Sequence, residues 1–305
     1  MKKTTIKVIA GSMLLCTMAN AFADPVTDRI FASHQVNLGV RSSSAPMSYK
    51  LPDGQYVGMA VDICNSVVDE LKKKDPSLKV NYVEVTSDNR IPYVQQGKID
   101  MECGSTTNSG TRRKQVNFSI PYYVAGIAVV TLRKDNMNTI TDLKNGDRVV
   151  FTKGTTTDKS IFKTYKGVKL DWDSKNIKFN EGKDHQDSFN QLSEGKAKLF
   201  ANDDILVMGL VANSKDPSAY KILPERFSIE PYGIMVSKDA TDLQALVDSN
   251  IINLMKKFPS DPNSFTSLYN KWFMKPIPPK GNVLNVPMNS FLTDIVREPT
   301  SAVGN

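Results

Sequence analysis

The chain has 305 residues, with 39 Lys and Arg against 32 Asp and Glu, a formal charge of +7, and 40 % hydrophobic residues. Its cations are scattered among acids without interleaved aromatics, which argues against a nucleic-acid surface, and its length suffices for two cores. Only three cysteines and His34 and His185 are available, and none lies at metal-ligand spacing, so neither a metal nor another cofactor is expected.

Residues 1–23 place Lys2, Lys3 and Lys7 before an apolar stretch through Leu15 and close on Ala21-Phe22-Ala23. They read as a secretory signal peptide, which puts the mature chain in the periplasm. Gly11, Ser12, Thr17 and Asn20 interrupt the apolar run, which falls short of the roughly 20 residues a membrane span needs. Cys16 follows Leu15 rather than Gly or Ala, so it is no lipoprotein cysteine and leaves with the signal; three lysines go too, lowering the charge to +4. Cys64 and Cys103 are read either as one disulfide or as two buried thiols.

Strand-like and helix-like segments then alternate, the pattern of an α/β protein. "VNLGVRS" is a strand running into a polar turn, and "VDICNSVVDELKKK" spaces apolar residues at 61, 64, 67, 68 and 71 as one helix face. "VNYVEV" is a strand, "NRIPYVQQG" a short helix with Pro92 in its first turn and Gly97 as its stop, and "KIDMECG" a strand. Further on, "DRVVFTKGTTTDKSIFKTY" reads strand, glycine turn, helix. "DHQDSFNQLSEGKAKLFANDD" then repeats the earlier grammar of polar cap, short helix, Gly-Lys and strand, which suggests an internal repeat with Ser105 to Thr107 and Asp203 at equivalent strand ends. Segments 126–135 and 231–239 are expected to cross between lobes, and the Pro-rich tail after "LYNKWF" to strap onto the surface. The expected division is 24–125 with 232–305 as one lobe and 126–231 as the other.

Catalytic signatures are absent: there is no Gly-x-Ser-x-Gly elbow, Walker loop or dinucleotide fingerprint. A cleft between two lobes, at the carboxyl ends of the strands, suits ligand binding instead. A free acidic amino acid would need charge-assisted partners for two carboxylates and one ammonium. Arg90 is the candidate for the α-carboxylate because its planar fork matches two oxygens. Ser87 lies beside it, and Ser105, Thr106 and Thr107 add hydroxyls and N–H groups. Asp203 is the candidate for the ammonium, while Asp204 could instead cap the next helix. Arg41 and His185 are the remaining cations for a second carboxylate, the alternative for His185 being a surface loop residue, and Thr155 and Thr156 are expected to offer helix N-terminal donors.

The motifs "TSDNRIPYVQQGKIDMECGSTTN", "FTKGTTT", "KDHQDSF", "NDD" and "KWFMKPIPPK" resemble, over the whole mature length, the periplasmic solute-binding proteins of ABC transporters for polar amino acids, most closely those for glutamate and aspartate. The resemblance implies the two-lobed type II periplasmic-binding-protein fold, with two crossing strands and closure over L-glutamate or L-aspartate. It implies a monomer that hands its ligand to a membrane permease. By the same resemblance Arg90 and Thr107 hold the α-carboxylate, Ser105 shares the main-chain end of the ligand, Asp203 takes the ammonium, and Arg41, Ser87 and His185 surround the side-chain carboxylate. The sequence departs from the family at "NSGTRR" and "LFAND". The alternative is a cyclohexadienyl or arogenate dehydratase-like enzyme on the same fold, for which Glu102 is the nearby acid; a receptor sensor module is disfavoured.

Overall fold

The structure, a computed structural model, describes residues 24–158, 164–165 and 168–300; the signal peptide expected over 1–23 lies outside the described residues. Asp24 caps α1 (Pro25–Ser33), its carboxylate accepting from the Val26 and Thr27 N–H groups at 2.9 and 2.8 Å. After β1 (Gln35–Val40) comes a meander of β2 (Ser43–Ser44), β3 (Ser48–Lys50) and β4 (Tyr56–Val57). α2 (Met59–Lys74) buries the expected face at Val61, Cys64, Val67, Val68 and Leu71 and ends on three lysines, which suit the negative end of the helix. Next follow β5 (Lys79–Glu84), α3 (Arg90–Gln95), β6 (Met101–Glu102), α4 (Gly110–Arg113) and β7 (Asn117–Phe118).

The chain then runs through β8 (Tyr123–Ala125), β9 (Ile127–Leu132) and β10 (Arg148–Thr152). The helix expected after the glycine turn at Gly154 falls mostly outside the described residues; within that stretch Thr164–Tyr165 is instead β11, paired antiparallel with β12 (Val168–Lys169). The remaining elements are β13 (Lys178–Gly182), α5 (His185–Ser193), β14 (Leu199–Asp203), α6 (Asp204–Asn213), β15 (Tyr220–Ile222), β16 (Glu230–Tyr232), β17 (Met235–Val236), α7 (Thr241–Lys256), α8 (Phe265–Phe273) and α9 (Ser290–Arg297).

Two five-stranded sheets share one topology. The first has the order β5-β1-β6-β17-β7 and the second β13-β10-β14-β9-β15, and in each only the fourth strand runs antiparallel to the rest. The internal repeat is therefore topological: α3–β6 and α5–β14 correspond, each helix stopping at a glycine with positive φ, Gly97 at +64° and Gly195 at +74°. Ser105 and Asp203 lie the same distance beyond those glycines, at matching strand ends. The second sheet is buried on both faces, Leu199 and Ala201 of β14 entering one apolar cluster and Phe200 the other.

The crossing differs from expectation. Residues 126–135 hold β9, an interior strand of the second sheet, whereas residues 231–239 begin in the crossing strand β16 and run on into β17 of the first sheet. The chain passes between sheets in the ribbon β8–β16, where Tyr232 pairs with Tyr123 and Glu230 with Ala125. A strand such as Ile127–Leu132, buried at all six positions, belongs inside a sheet rather than in a connection. Tyr123 stacks on Phe273 and Tyr269 of α8 and lies beside Tyr232, so the ribbon rests on an aromatic bed.

Cys64 of α2 and Cys103 after β6 form a disulfide with Cα atoms 6.1 Å apart and both residues fully buried, which resolves the alternative left by the sequence. It pins the strand end that leads into Gly104-Ser105-Thr106-Thr107. The tail does act as a strap: Val286 is held by Tyr269 and Phe273, while Asn282 Nδ2 and Lys280 Nζ donate to Ala212 O and Ser214 O at the end of α6.

Candidate functional site

The segments at the carboxyl ends of β5, β6, β10, β13 and β14 converge between the sheets on one small pocket. It is lined by Ser87, Arg90, Ser105 and Thr107 from the first sheet's side and by Thr155, Thr156, His185, Asn202 and Asp203 from the second's, with Arg112 and Leu206 completing the wall. Eight of the ten residues expected from sequence are thus brought together. Thr106 is buried but directed elsewhere, its Oγ1 donating to Glu102 Oε2 at 2.6 Å. Arg41 stands one layer back: its Nη2 donates to Ser87 Oγ at 2.7 Å and lies 3.4 Å from His185 Nε2.

Local structure explains these placements. Thr86 and Asn89 exchange bonds ahead of α3, so Arg90 starts the helix with its side chain turned inward and 2 % exposed. Thr107 is tied to the ribbon by a bridge to Tyr232, and Arg112 Nη1 donates to Thr107 O at 3.1 Å. Asp184 caps α5, accepting from Asp187 N at 2.8 Å, so His185 is the first helical residue and is buried, not a surface loop residue. Asp203 occupies the N-cap position of α6 without capping it; Asp204, the first helical residue, accepts from the Ile205 N–H at 2.7 Å, leaving Asp203 for the cavity. Thr155 and Thr156 sit in a turn after β10, and the helix they were expected to lead lies outside the described residues. Thr155 Oγ1 donates to Thr152 O and Thr156 Oγ1 to Glu230 Oε2.

The electrostatics are those of a buried cationic site. Burial and the neighbouring Arg90 pull the Arg41 guanidinium down to about 10, and burial with Arg90 brings Arg112 to about 9; both stay protonated at neutral pH. Arg90 is itself lowered, chiefly by burial. Burial and the guanidiniums of Arg41 and Arg90 hold His185 well below its ordinary value, so it is neutral and is not the cation expected from sequence. The ring faces Arg41 Nη2 at its Nε2, and at Nδ1 it lies 3.1 Å from Thr152 Oγ1 and 2.9 Å from the Asn202 amide nitrogen. Burial and Glu230 raise the Asp203 carboxyl to about 7, against the hydrogen bond it accepts from Tyr232 Oη.

Several buried polar atoms here have no hydrogen-bond partner among the described residues: Arg41 Nη1, Arg90 Nε, Ser105 Oγ, Asp203 Oδ1 and Glu102 Oε1. Buried polar atoms are ordinarily paired, so this concentration of donors and acceptors around one cavity marks a place built for a polar guest. The walls also meet outside the cavity. Arg112 Nη2 donates to Gly154 O at 3.2 Å, Lys153 pairs with Asp88 at 3.0 Å, and Gly154 (φ +76°) lies so close to the facing loop that a Cβ there would be 2.6 Å from Asp88 Cα.

Sequence comparison decides the family. The model of the bacterial extracellular solute-binding proteins, family 3, matches residues 36–275. The chain belongs to this family. Among family members, an L-glutamate/L-aspartate-binding protein of Pseudomonas aeruginosa is 37 % identical over 290 residues, covering 92 % of each chain. A glutamate/aspartate import solute-binding protein of Escherichia coli K12 is 34 % identical over 285 residues, covering 93 % of this chain and 91 % of its own. The solved structure of an ancestral amino acid-binding protein, a precursor of cyclohexadienyl dehydratase, superposes with a TM-score of 0.65 at 25 % identity, covering 81 % of this chain and 98 % of that one. The solute-binding fold of two α/β lobes is the one built here.

Arg112, Asn202 and Leu206 are the cavity residues that sequence reasoning missed. Two adjacent arginines stand in "GTRR", and a four-residue helix has too little periodicity to say which turns inward; the one usable signal is Ser109, whose hydroxyl caps α4.

Proposed function

We propose that this solute-binding protein captures acidic L-amino acids, L-glutamate or L-aspartate, and delivers them to the membrane permease of an ABC importer. The observation that carries the reading is the set of unpartnered atoms around the cavity: guanidinium donors and a hydroxyl on the first lobe, and an acidic acceptor on the second. Arg90, Thr107 and Ser105 take the α-carboxylate, and Asp203 Oδ1 takes the ammonium. The side-chain carboxylate lies against Ser87 and His185, with Arg41 behind them and its Nη1 available. Arg112, Thr155 and Thr156 close the wall. The names carried by the family members at 34 and 37 % identity support this substrate class.

In this reading the lobes, 24–125 with 232–305 and 126–231, close on the ligand because each holds part of the site. The protein acts as a monomer in the periplasm after removal of residues 1–23, and it binds without turnover. Glu102, the acid a dehydratase would need, is fully buried, is not among the cavity-lining residues and accepts from Thr106, which favours binding over catalysis. Calorimetric titration of protein stripped of ligand with the twenty amino acids tests the proposal. Tight binding confined to glutamate and aspartate is the expected result, and preference for a basic or apolar amino acid would overturn it.

A further inference from the structure

Glu102 is a buried acid that the binding reading does not use. Its backbone is fixed on both sides, paired with Gly39 of β1 and Met235 of β17, and its residue is 0 % exposed. One carboxylate oxygen accepts from Thr106; the other, Oε1, has no hydrogen-bond partner among the described residues. The neighbouring Gly104 shows why the carboxylate fits: a Cβ at that position would lie 2.2 Å from Glu102 Oε1 and 2.9 Å from Arg41 Cγ. The absence of a side chain at 104 is the room in which the acid and the stem of Arg41 lie together. Its negative charge acts on both Arg41 and Arg90.

A buried carboxylate without a full hydrogen-bond set is costly unless its charge is used. Here two guanidiniums are buried a short way from each other, and a fixed anion behind them offsets their mutual repulsion. We propose that Glu102 is a positioning residue, a built-in counter-charge to the Arg41–Arg90 pair that moderates how strongly the cleft prefers an anionic over a neutral ligand side chain. The proposal rests on the acidic-amino-acid reading above. Its consequence is counter-intuitive: deleting the charge sharpens selectivity for glutamate over glutamine, because the guanidiniums then lose one of their anions and draw more on the ligand's, while the protein without ligand becomes less stable.

The test is Glu102→Gln, which preserves shape, measured by calorimetric titration with glutamate and with glutamine and by thermal unfolding without ligand. The glutamate-to-glutamine affinity ratio should rise by about tenfold, as one charge acting through a partly screened interior allows. Glu102→Asp, which keeps the charge, should leave the ratio within about twofold of wild type. The unfolding temperature of Glu102→Gln should fall, and adding Arg41→Met should recover at least half of the loss, because it removes the cation left without a counter-charge. A merely structural role for Glu102 would change both ligands by one factor, and that result, or a falling ratio, overturns the proposal. If Glu102→Gln does not fold alone, folding of the double variant supports the pairing and its failure overturns it. If wild type binds no acidic amino acid, the functional reading fails, and the unfolding comparison still decides whether Glu102 and Arg41 are paired.

Discussion

Gly154→Ala should weaken glutamate binding by about 10- to 1000-fold without replacing any residue of the cavity wall, and the size of the effect follows from what the new methyl meets. A Cβ at 154 would sit 2.6 Å from Asp88 Cα and N and from Ser87 C, all backbone atoms that cannot swing away. Ordinary carbon contacts lie at about 3.5–4.0 Å, so the two loops must part by about 1 Å. That displacement carries the 3.2 Å bond from Arg112 Nη2 to Gly154 O beyond hydrogen-bonding range. A bond from a charged donor is worth about 1.5–3 kcal/mol, and the half-exposed Lys153–Asp88 pair adds about 0–1 kcal/mol. The left-handed backbone at φ +76° costs alanine about 1–2 kcal/mol in any lobe arrangement, so it lowers the unfolding temperature but cancels from the affinity. Titration calorimetry and thermal unfolding on the same variant separate the two effects. A variant that loses stability yet binds glutamate within threefold of wild type would show that closure does not pass through this contact.

The remaining predictions concern the site itself. Arg90→Ala should abolish measurable amino-acid binding, since it strands a buried carboxylate at a cost of about 3–5 kcal/mol; calorimetry showing near wild-type affinity would make Arg90 structural only. Arg41→Met should narrow the glutamate-to-glutamine gap mainly by weakening glutamate, whereas Arg90→Met should weaken both alike; an untouched ratio would remove Arg41 from side-chain recognition. Asp203, raised to about 7 from an ordinary 3.8, titrates across the useful range. A raised acid costs the folded state stability as pH climbs from about 4 toward 7, so this group should make the protein without ligand less stable over that window, and Asp203→Asn should flatten the trend. Ligand affinity should move oppositely, rising with pH up to about 7 with a slope approaching tenfold per unit, because the ammonium requires the ionised carboxylate; a flat profile between pH 5 and 7 would sever Asp203 from the ammonium.

Much of this architecture was legible because it rests on local chemistry. The helix face of α2, the glycine stops at 97 and 195, and the Ser105–Asp203 correspondence are all written in short windows. The crossing was misplaced because Ile127–Leu132 is apolar throughout, and an unbroken apolar run does not distinguish an interior strand from a connection. Sequence put Thr106 in the site with its neighbours, but alternation along an irregular loop is not fixed by spacing, and its hydroxyl goes to Glu102. His185 looked like a cation because its ordinary value lies near neutrality; only its burial beside two guanidiniums, a fact of tertiary packing, makes it neutral. Arg112 was hidden for the same reason, since its partner Gly154 is contributed by a distant part of the chain.

The strap after α8 adds a third thread between the lobes. A two-stranded ribbon alone would leave the second lobe free to bend and also to twist. Asn282 and Lys280, gripping the end of α6, oppose the twist and leave bending as the softer direction. Each grip is a single bond from a side chain to a carbonyl, worth about 1 kcal/mol net, so thermal motion can release it many times within one unfolding lifetime. The segment thus behaves as a slipping stay: it biases the route by which the lobes part without fixing whether they part, and shortening the tail ahead of residue 280 should broaden the range of lobe orientations more than it changes their mean separation.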